Sequence, residues 1–182
     1  MEYPKRKHAR LKDYDYSQAG VYFVTICTKD RQRILSKIVP ANVDLTGAVG
    51  RDDLGAPLVQ VALTPVGEIV QKYLNSMSEA YPWVTVEHGV IMPNHVHILL
   101  QFHADGGRRA GSSRPTQLLP RIVAAWKRFT NRDSGQSLWQ SGYHDHIIRD
   151  DNDFLNHWTY IDQNPARWTQ DEYYQEERER QP

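Results

Sequence analysis

Residues 92–100 read Met-Pro-Asn-His-Val-His-Ile-Leu-Leu, with two histidines one residue apart at the start of an aliphatic run. Such a run predicts a β-strand, in which successive side chains point to opposite faces of the sheet. We therefore expect His95 and His97 on one face and the aliphatic positions 96, 98 and 100 on the other. Two imidazoles held side by side on a rigid strand are half of a metal site.

A second histidine pair has the same spacing, because His144 and His146 flank Asp145. Spacing alone does not choose between the two pairs. In the second pair, Asp145 and His146 could support the metal ligands or contact a phosphate, or the histidines could be ordinary residues of an exposed strand. For the first pair, a histidine-triad nucleotide hydrolase is excluded, because the third histidine would stand where the chain has Leu99.

The segment predicted as the last helix contains Tyr160 and Asn164, which are four residues apart and therefore share one helical face. Asn164 can offer a carboxamide oxygen to a metal, and Tyr160 presents a phenol beside it. A buried, amphipathic tyrosine with an asparagine cap at the helix end explains the same pair without any function. The spacing alone leaves both interpretations open.

Length and composition limit the class of protein. A chain of 182 residues predicts one domain with a single core. The single cysteine, Cys27, cannot form an internal disulfide, which favours a reduced, cytoplasmic protein. No apolar run approaches the ~18 residues of a membrane span, so we expect no membrane partner. Both a monomer and a homodimer agree with these properties.

The formal net charge is zero, but the charges are separated along the chain. Basic residues crowd the N-terminus and the stretch 104–132, whereas acidic residues gather after position 170. Separated charge can present a basic surface on a neutral protein, and solvated faces with a frayed tail are the alternative. The candidates for contact with DNA are Lys5, Arg6, Lys7, Arg114, Arg121, Lys127, Arg128 and Arg132.

The predicted elements follow an order typical of an α+β fold. Strands are predicted at 21–28, 58–63, 84–92, 95–102 and 138–148, helices from 65 to before Pro82, at 116–131 and at 151–164, and long loops at 39–57 and 103–115. Short links between adjacent strands favour an antiparallel sheet packed by helices. A flexible basic arm at 1–13, a single domain at 14–168 and an acidic polar tail at 169–182 complete the predicted organisation.

Six stretches carry a resemblance to a known family, in the family's own order. They are 14–17 (YDYS), 20–28 (GVYFVTICT), 90–100 (VIMPNHVHILL), 122–129 (IVAAWKRF), 138–140 (LWQ) with 143–149 (YHDHIIR), and 160–165 (YIDQNP). With these motifs the chain resembles the single-tyrosine HUH transposases and, within them, the REP-associated tyrosine transposases. The histidine segment and the downstream Tyr-Ile-x-x-Asn-Pro are highly specific as a pair.

The resemblance implies both a fold and a site. The implied fold is a ferredoxin-like antiparallel β-sheet flanked by α-helices. The implied metal ligands are His95, His97 and Asn164, and the implied nucleophile is Tyr160. The family favours Mg²⁺ or Mn²⁺, whereas the ligand set alone would also accept Zn²⁺.

The implied activity is that of a DNA transposase acting on single-stranded DNA that carries hairpins, such as REP-like palindromes. It would cleave and rejoin this DNA through a 5′-phosphotyrosine intermediate. Three alternatives remain open: a domesticated protein that binds hairpins without cutting, a metal-dependent hydrolase that activates water at the same histidine pair, and an initiator of the replication or relaxase type. The base that would deprotonate Tyr160 is not identified by the sequence.

Overall fold

The structure is a computed structural model that describes residues 19–41, 59–103 and 118–174. The predicted arm at 1–13, most of the loops at 39–57 and 103–115, and residues 175–182 lie outside this description. The strands are β1 (Gly20–Cys27), β2 (Ser36–Pro40), β3 (Val59–Leu63), β4 (Val84–Ile91), β5 (His95–Phe102) and β6 (His144–Ile147). The helices are α1 (Pro65–Asn75), α2 (Met77–Ala80), α3 (Leu118–Ser134) and α4 (Asp151–Gln163), with short 3-10 turns at Lys29–Arg31 and Trp168–Gln170.

Four of these strands form one antiparallel sheet in the spatial order β4–β5–β1–β6. The strands β2 and β3 pair with each other as a separate two-stranded sheet. Without that pair and the short α2, the chain order is β1–α1–β4–β5–α3–β6, which is the βαββαβ arrangement of the ferredoxin-like fold. The predicted α+β class is therefore confirmed, and β5 lies in the middle of the sheet between β4 and β1.

The two faces of β5 separate apolar from polar residues as the alternation predicts. The residues that point to one face pack into the main core together with α1 and α3, and they include Val96, Ile98, Leu100 and Phe102. The opposite face carries His95 and His97, and helix α4 lies against the sheet at β4 and β5. The catalytic candidates thus share one side of the sheet, whereas α3 covers the other side.

Helix α1 begins as its sequence indicates. Thr64 accepts a hydrogen bond from the backbone N–H of Gly67 at 3.1 Å, and Pro65 occupies the first helical position. Gly67 is required by close packing, because a Cβ there would lie 2.0 Å from the carbonyl oxygen of Leu35. The predicted single helix up to Pro82 is wrong in one respect, since α1 ends at Asn75 and the short α2 follows.

Two strand predictions also differ from the structure. Strand β2 was not predicted, because its partner β3 lies beyond the segment 42–58, so the pairing that stabilises it is not local. The last strand is much shorter than the predicted 138–148. Before β6 the chain makes an isolated bridge between Thr28 and Trp139, and the Trp139 ring packs 4.8 Å from that of Trp126.

Candidate functional site

The two histidines of β5 lie side by side and are almost fully buried, with 0% and 1% of their surfaces exposed. In the register of the sheet, His95 is opposite Cys27 and His97 is opposite Thr25 on β1. The centroids of their rings are 4.4 Å apart. Hydrogen-bonded strands on both sides therefore hold the pair at the centre of the sheet.

One nitrogen of each ring has a polar partner. The Nδ1–H of His95 donates to Oδ1 of Asn94 at 2.9 Å, and Nδ2 of Asn94 donates to the carbonyl of Tyr173 at 2.8 Å. Nδ1 of His97 is 2.8 Å from Oγ1 of Thr25. Metal-binding histidines are commonly oriented in this way, with the second nitrogen held by a carbonyl, carboxyl or hydroxyl group.

The other nitrogen of each ring has no such partner in the part of the chain that the structure describes. Among the described residues, nothing hydrogen-bonds Nε2 of His95 or Nε2 of His97, although both atoms are buried. Burial, together with the neighbouring His97, lowers the pKa of His95 well below its usual range. Burial and the charge of His157 lower the pKa of His97 to about 3. Both rings are therefore neutral at pH 7, as a metal ligand must be.

Helix α4 brings Tyr160 and Asn164 to the cavity that His97 also lines. Asp150 caps the start of the helix by accepting from the N–H of Asp153, and Ile161 is the residue of α4 that is buried. Tyr160 is 40% exposed, and its ring lies 5.1 Å from the His97 ring. Asn164 is buried, and within the described ranges its Oδ1 accepts no hydrogen bond.

The three predicted ligands therefore each present a buried lone-pair atom without a hydrogen-bond partner in the described ranges, namely two imidazole nitrogens and one amide oxygen. A buried polar atom without a partner is costly, which makes this combination unusual. A divalent cation would satisfy such atoms, because imidazole and amide oxygen are both metal donors. The residues present fit the predicted ion.

A further residue, which the sequence analysis missed, joins this cluster. A carboxylate oxygen of Asp171 and one nitrogen from each of His95 and His97 all lie within 4.8 Å of one another. Asn164 donates an N–H to Oδ2 of Asp171 at 2.6 Å, and the backbone N–H of Tyr173 donates to Oδ1 at 2.6 Å. Asp171 stands beyond the end of α4, where helical spacing no longer signals which side chains meet.

Residues 168–174 pack over the histidine pair, although the sequence interpretation placed all but the first of them in an acidic polar tail. The Tyr173 ring lies 4.8 Å from the His95 ring. The guanidinium of Arg31 lies 4.2 Å from the centre of the Tyr173 ring, and that of Arg33 lies 4.6 Å from the centre of Tyr174. These cation–π contacts attach the segment to the turn that follows β1 and to the residues just after that turn.

The environment of Tyr160 opposes its ionisation. Burial and the negative charges of Asp171 and Glu172 raise the pKa of the phenol to about 12. The phenol is therefore protonated at neutral pH, and its attack on a phosphodiester requires a proton acceptor or a nearby cation.

Tyr160 lies in the wall of a cavity of about 980 Å³. The same walls contain His97, Asn164 and Asp171 and, from β6 and α4, residues His144, Asp145, His146 and His157. His146 hydrogen-bonds Asp153 at 2.9 Å, and its ring stacks on that of His157. The suggested support from Asp145 and His146 stays a prediction, since these residues share the cavity but His146 has its own partners.

The basic residues predicted to bind DNA are only partly described. Lys5, Arg6, Lys7 and Arg114 lie outside the described residues. Arg121, Arg128 and Arg132 are on α3, whose buried residues pack against the face of the sheet opposite the histidines. Lys127 differs from them, because its ammonium donates to the carbonyls of Gln140 and Gly142 at 2.8 and 2.7 Å and burial lowers its pKa to about 8.

Comparisons with known proteins agree with the motifs. No model of a known protein family matches the chain. The chain is 28% identical over 187 residues to an uncharacterized protein of Haemophilus influenzae, covering 93% of each. It is 25% identical over 158 residues to a protein of the same organism named "Putative REP-associated tyrosine transposase", covering 84% of this chain and 74% of that protein.

The fold has a counterpart among solved structures. A REP-associated tyrosine transposase bound to a REP hairpin superimposes with a TM-score of 0.55 at 16% identity, covering 92% of this chain and 74% of the other. The likeness in fold confirms the architecture, and the sequence match confirms the relationship to REP-associated tyrosine transposases that the motifs predicted.

Proposed function

We propose that the chain cleaves and rejoins single-stranded, hairpin-bearing DNA through covalent attack by Tyr160, with a divalent cation held by His95, His97 and Asn164. The observation that carries the proposal is that Nε2 of His95, Nε2 of His97 and Oδ1 of Asn164 are buried and have no hydrogen-bond partner among the described residues, while the ring of the half-exposed Tyr160 lies 5.1 Å from the His97 ring. A Mg²⁺ or Mn²⁺ ion bound there would polarise a phosphate oxygen and orient the scissile bond. Asp171 is in position to be a fourth ligand.

Tyr160 is the nucleophile of the proposed reaction. In cleavage, the phenolic oxygen of Tyr160 loses its proton to a base and forms a bond to phosphorus, the bond from phosphorus to the 3′-oxygen breaks, and the departing 3′-oxygen takes up a proton from water or from the protonated base. The products are a 5′-phosphotyrosine and a DNA strand that ends in a 3′-hydroxyl. Rejoining reverses these steps with another 3′-hydroxyl, so the phosphodiester energy is retained and no nucleotide cofactor is consumed.

The proposed substrate follows from the relatives and from the shape of the site. The solved relative is bound to a REP hairpin, and we propose a hairpin of this kind for the present chain. The cavity beside Tyr160 is open to solvent and large enough for an unpaired segment of DNA. Its aromatic residues offer surfaces on which unpaired bases can stack.

A covalent-trapping experiment tests the proposal. The full chain is incubated with Mn²⁺ and a pool of hairpin oligonucleotides that have randomised single-stranded flanks and a fluorophore at the 3′ end. Because the tyrosine keeps the 5′-phosphate of the downstream fragment, we expect a fluorescent protein band on a denaturing gel. Tyr160→Phe should abolish the band, whereas the matched control Tyr81→Phe should retain it.

The other outcomes separate the alternatives. Cleavage that persists in Tyr160→Phe without an adduct would indicate a hydrolase that uses activated water. Hairpin binding without cleavage under Mg²⁺ and Mn²⁺ would indicate a DNA-binding protein that does not cut. An adduct that survives Tyr160→Phe would contradict the assigned nucleophile.

A further inference from the structure

A second cluster of donor groups lies beside the same cavity, in whose wall His146 and His157 stand. His146 is on β6, whereas Asp153 and His157 are one turn apart near the start of α4. One donor atom from each of these three residues lies within 4.8 Å of the other two. This cluster shares no residue with His95, His97, Asn164 or Asp171.

The three side chains are arranged around the carboxylate of Asp153. Its Oδ2 is 2.9 Å from Nε2 of His146, and its Oδ1 is 3.1 Å from Nδ1 of His157. The two imidazole rings are nearly parallel, with centroids 4.7 Å apart and an interplanar angle of 20°. Both rings therefore direct polar edges toward one carboxylate from neighbouring positions.

The cluster is held in place by its surroundings. Asp153 accepts a hydrogen bond from the N–H of Arg149 at 3.1 Å, and its own N–H donates to the capping residue Asp150. The His157 ring packs on the apolar ring of Phe23 at 4.6 Å. The side chains of His146, Asp153 and His157 are 42%, 20% and 22% exposed, so that an ion from solvent can reach them.

Two imidazoles and one carboxylate are a common donor set for divalent transition metals, with open positions left for water. His157 also has the outer contact that metal-bound histidines usually have, because its Nδ1–H donates to the carbonyl of Asp153 at 2.8 Å. The tautomer that makes this bond keeps its lone pair on Nε2. A plain ion pair between the carboxylate and the histidines is the alternative.

We propose that His146, Asp153 and His157 form a second metal site, which takes a transition-metal cation of the Zn²⁺ class. The ion links the edge strand β6 to the first two turns of α4. This link would hold the start of the helix that carries Tyr160. The buried residue of α4, Ile161, holds the helix near its other end. Metal binding here does not depend on DNA cleavage.

Metal counting tests the proposal with Zn²⁺ alone as the probe. The full chain is dialysed against buffered Zn²⁺, and bound zinc per chain is measured by mass spectrometry. We expect two ions in the wild type, one in the double variant His146→Ala with His157→Ala, and one in His95→Ala with His97→Ala. The matched control His103→Ala, a histidine outside both clusters, should bind two.

The same variants separate this proposal from the proposed function. If the wild type binds one zinc ion and the variant His146→Ala with His157→Ala binds none, the second site is supported, and the site of His95 and His97 does not bind Zn²⁺. If the variant of His146 and His157 binds as much zinc as the wild type, the second site is wrong and the proposed function is unaffected.

A stability measurement covers the case in which the alanine variants fold poorly. In the His95→Ala, His97→Ala background, Zn²⁺ at about 100 times its Kd should raise Tm by roughly 5–10 °C. The conservative substitution Asp153→Asn in that background should remove most of this rise, because the anionic donor is lost. A Tm that does not respond to Zn²⁺ before the Asp153 substitution would support the plain ion pair and overturn the metal site.

Discussion

Asn164 donates an N–H to Oδ2 of Asp171 at 2.6 Å, which determines the orientation of its carboxamide. With the amide nitrogen directed at the carboxylate, the amide oxygen is the atom left for another partner. A residue beyond the end of α4 thus orients a predicted metal ligand at the end of that helix, and its own carboxylate lies within 4.8 Å of the histidine nitrogens.

We expect Asp171→Asn to weaken Mn²⁺ binding about 10–100-fold, the usual effect of losing a group that orients or supplements metal ligands. Titration of the DNA-free protein followed by Mn²⁺ electron paramagnetic resonance measures this directly. Glu172→Gln is the matched control, because Glu172 lines the same cavity but is absent from the cluster of donor atoms around the histidines. Equal affinities for Asp171→Asn and the wild type would remove Asp171 from the site.

Thr25→Val should destabilise the protein by about 1–3 kcal/mol, because it leaves the buried Nδ1 of His97 without its partner. Valine has nearly the same shape as threonine, so the change removes mainly the hydroxyl group. Urea denaturation at pH 7 in EDTA gives the free energy of unfolding. Thr25→Ser keeps the hydroxyl and should lose much less stability, and equal losses in both variants would show that packing is responsible.

The metal-free protein should lose stability as the pH falls from about 6.5. Both buried histidines have a pKa lowered below the usual 6.5, that of His97 to about 3, so in this range the unfolded chain binds more protons than the folded one. The contribution is present above pH 6.5 and decreases by about 1.4 kcal/mol per pH unit for each histidine as the pH falls. Urea denaturation at several pH values in EDTA measures this slope.

The double variant His95→Gln with His97→Gln provides the comparison for that slope. Between pH 6.5 and 5, its free energy of unfolding should change much less with pH than that of the wild type. This range lies above the one in which most carboxylates titrate. Parallel curves for the two proteins would mean that the histidines do not resist protonation in the folded state.

Replacing Arg114, Arg121 and Arg128 with glutamine should weaken hairpin binding and flatten its dependence on salt. For single-stranded DNA, each phosphate that the protein no longer neutralises reduces the logarithmic salt slope by about 0.7. Fluorescence anisotropy with a labelled hairpin at several salt concentrations measures the slope. An unchanged slope would place the DNA elsewhere, on the side of the sheet that carries Tyr160.

Lys127→Met is the matched control for this series. It removes a positive charge from the same helix, but the Lys127 ammonium is already hydrogen-bonded to the carbonyls of Gln140 and Gly142. We therefore expect it to lower the free energy of unfolding while it leaves the salt slope of DNA binding unchanged.

The local part of the fold could be predicted because short-range patterns determine it. The alternation in β5 placed His95 and His97 on one face, and Thr64 with Pro65 identified the start of α1. In both cases the pattern that carries the prediction spans only a few residues in sequence. The resemblance supplied what spacing could not, namely that Tyr160 and Asn164 belong with the histidines.

The rest depends on contacts between distant parts of the chain. The strand β2 exists because β3 pairs with it across the segment 42–58. Asp171 belongs to an acidic stretch whose composition is typical of a solvated tail, and its position at the site depends on Asn164 and on Tyr173 packing against His95. No periodic pattern in the sequence predicts a contact of this kind between residues that are far apart in the chain.

Because β5 is central in the sheet, we expect the two parts of the site, β5 and α4, to differ in their rates of amide hydrogen exchange with solvent. Amides around His95 and His97 are hydrogen-bonded to strands on both sides, so they should exchange only when the whole domain unfolds. The amides of α4 can open more locally, since the helix buries little. In the proposed reaction, a motion of α4 can therefore reposition Tyr160 and a DNA strand attached to it, while the ligand-bearing strand keeps its place.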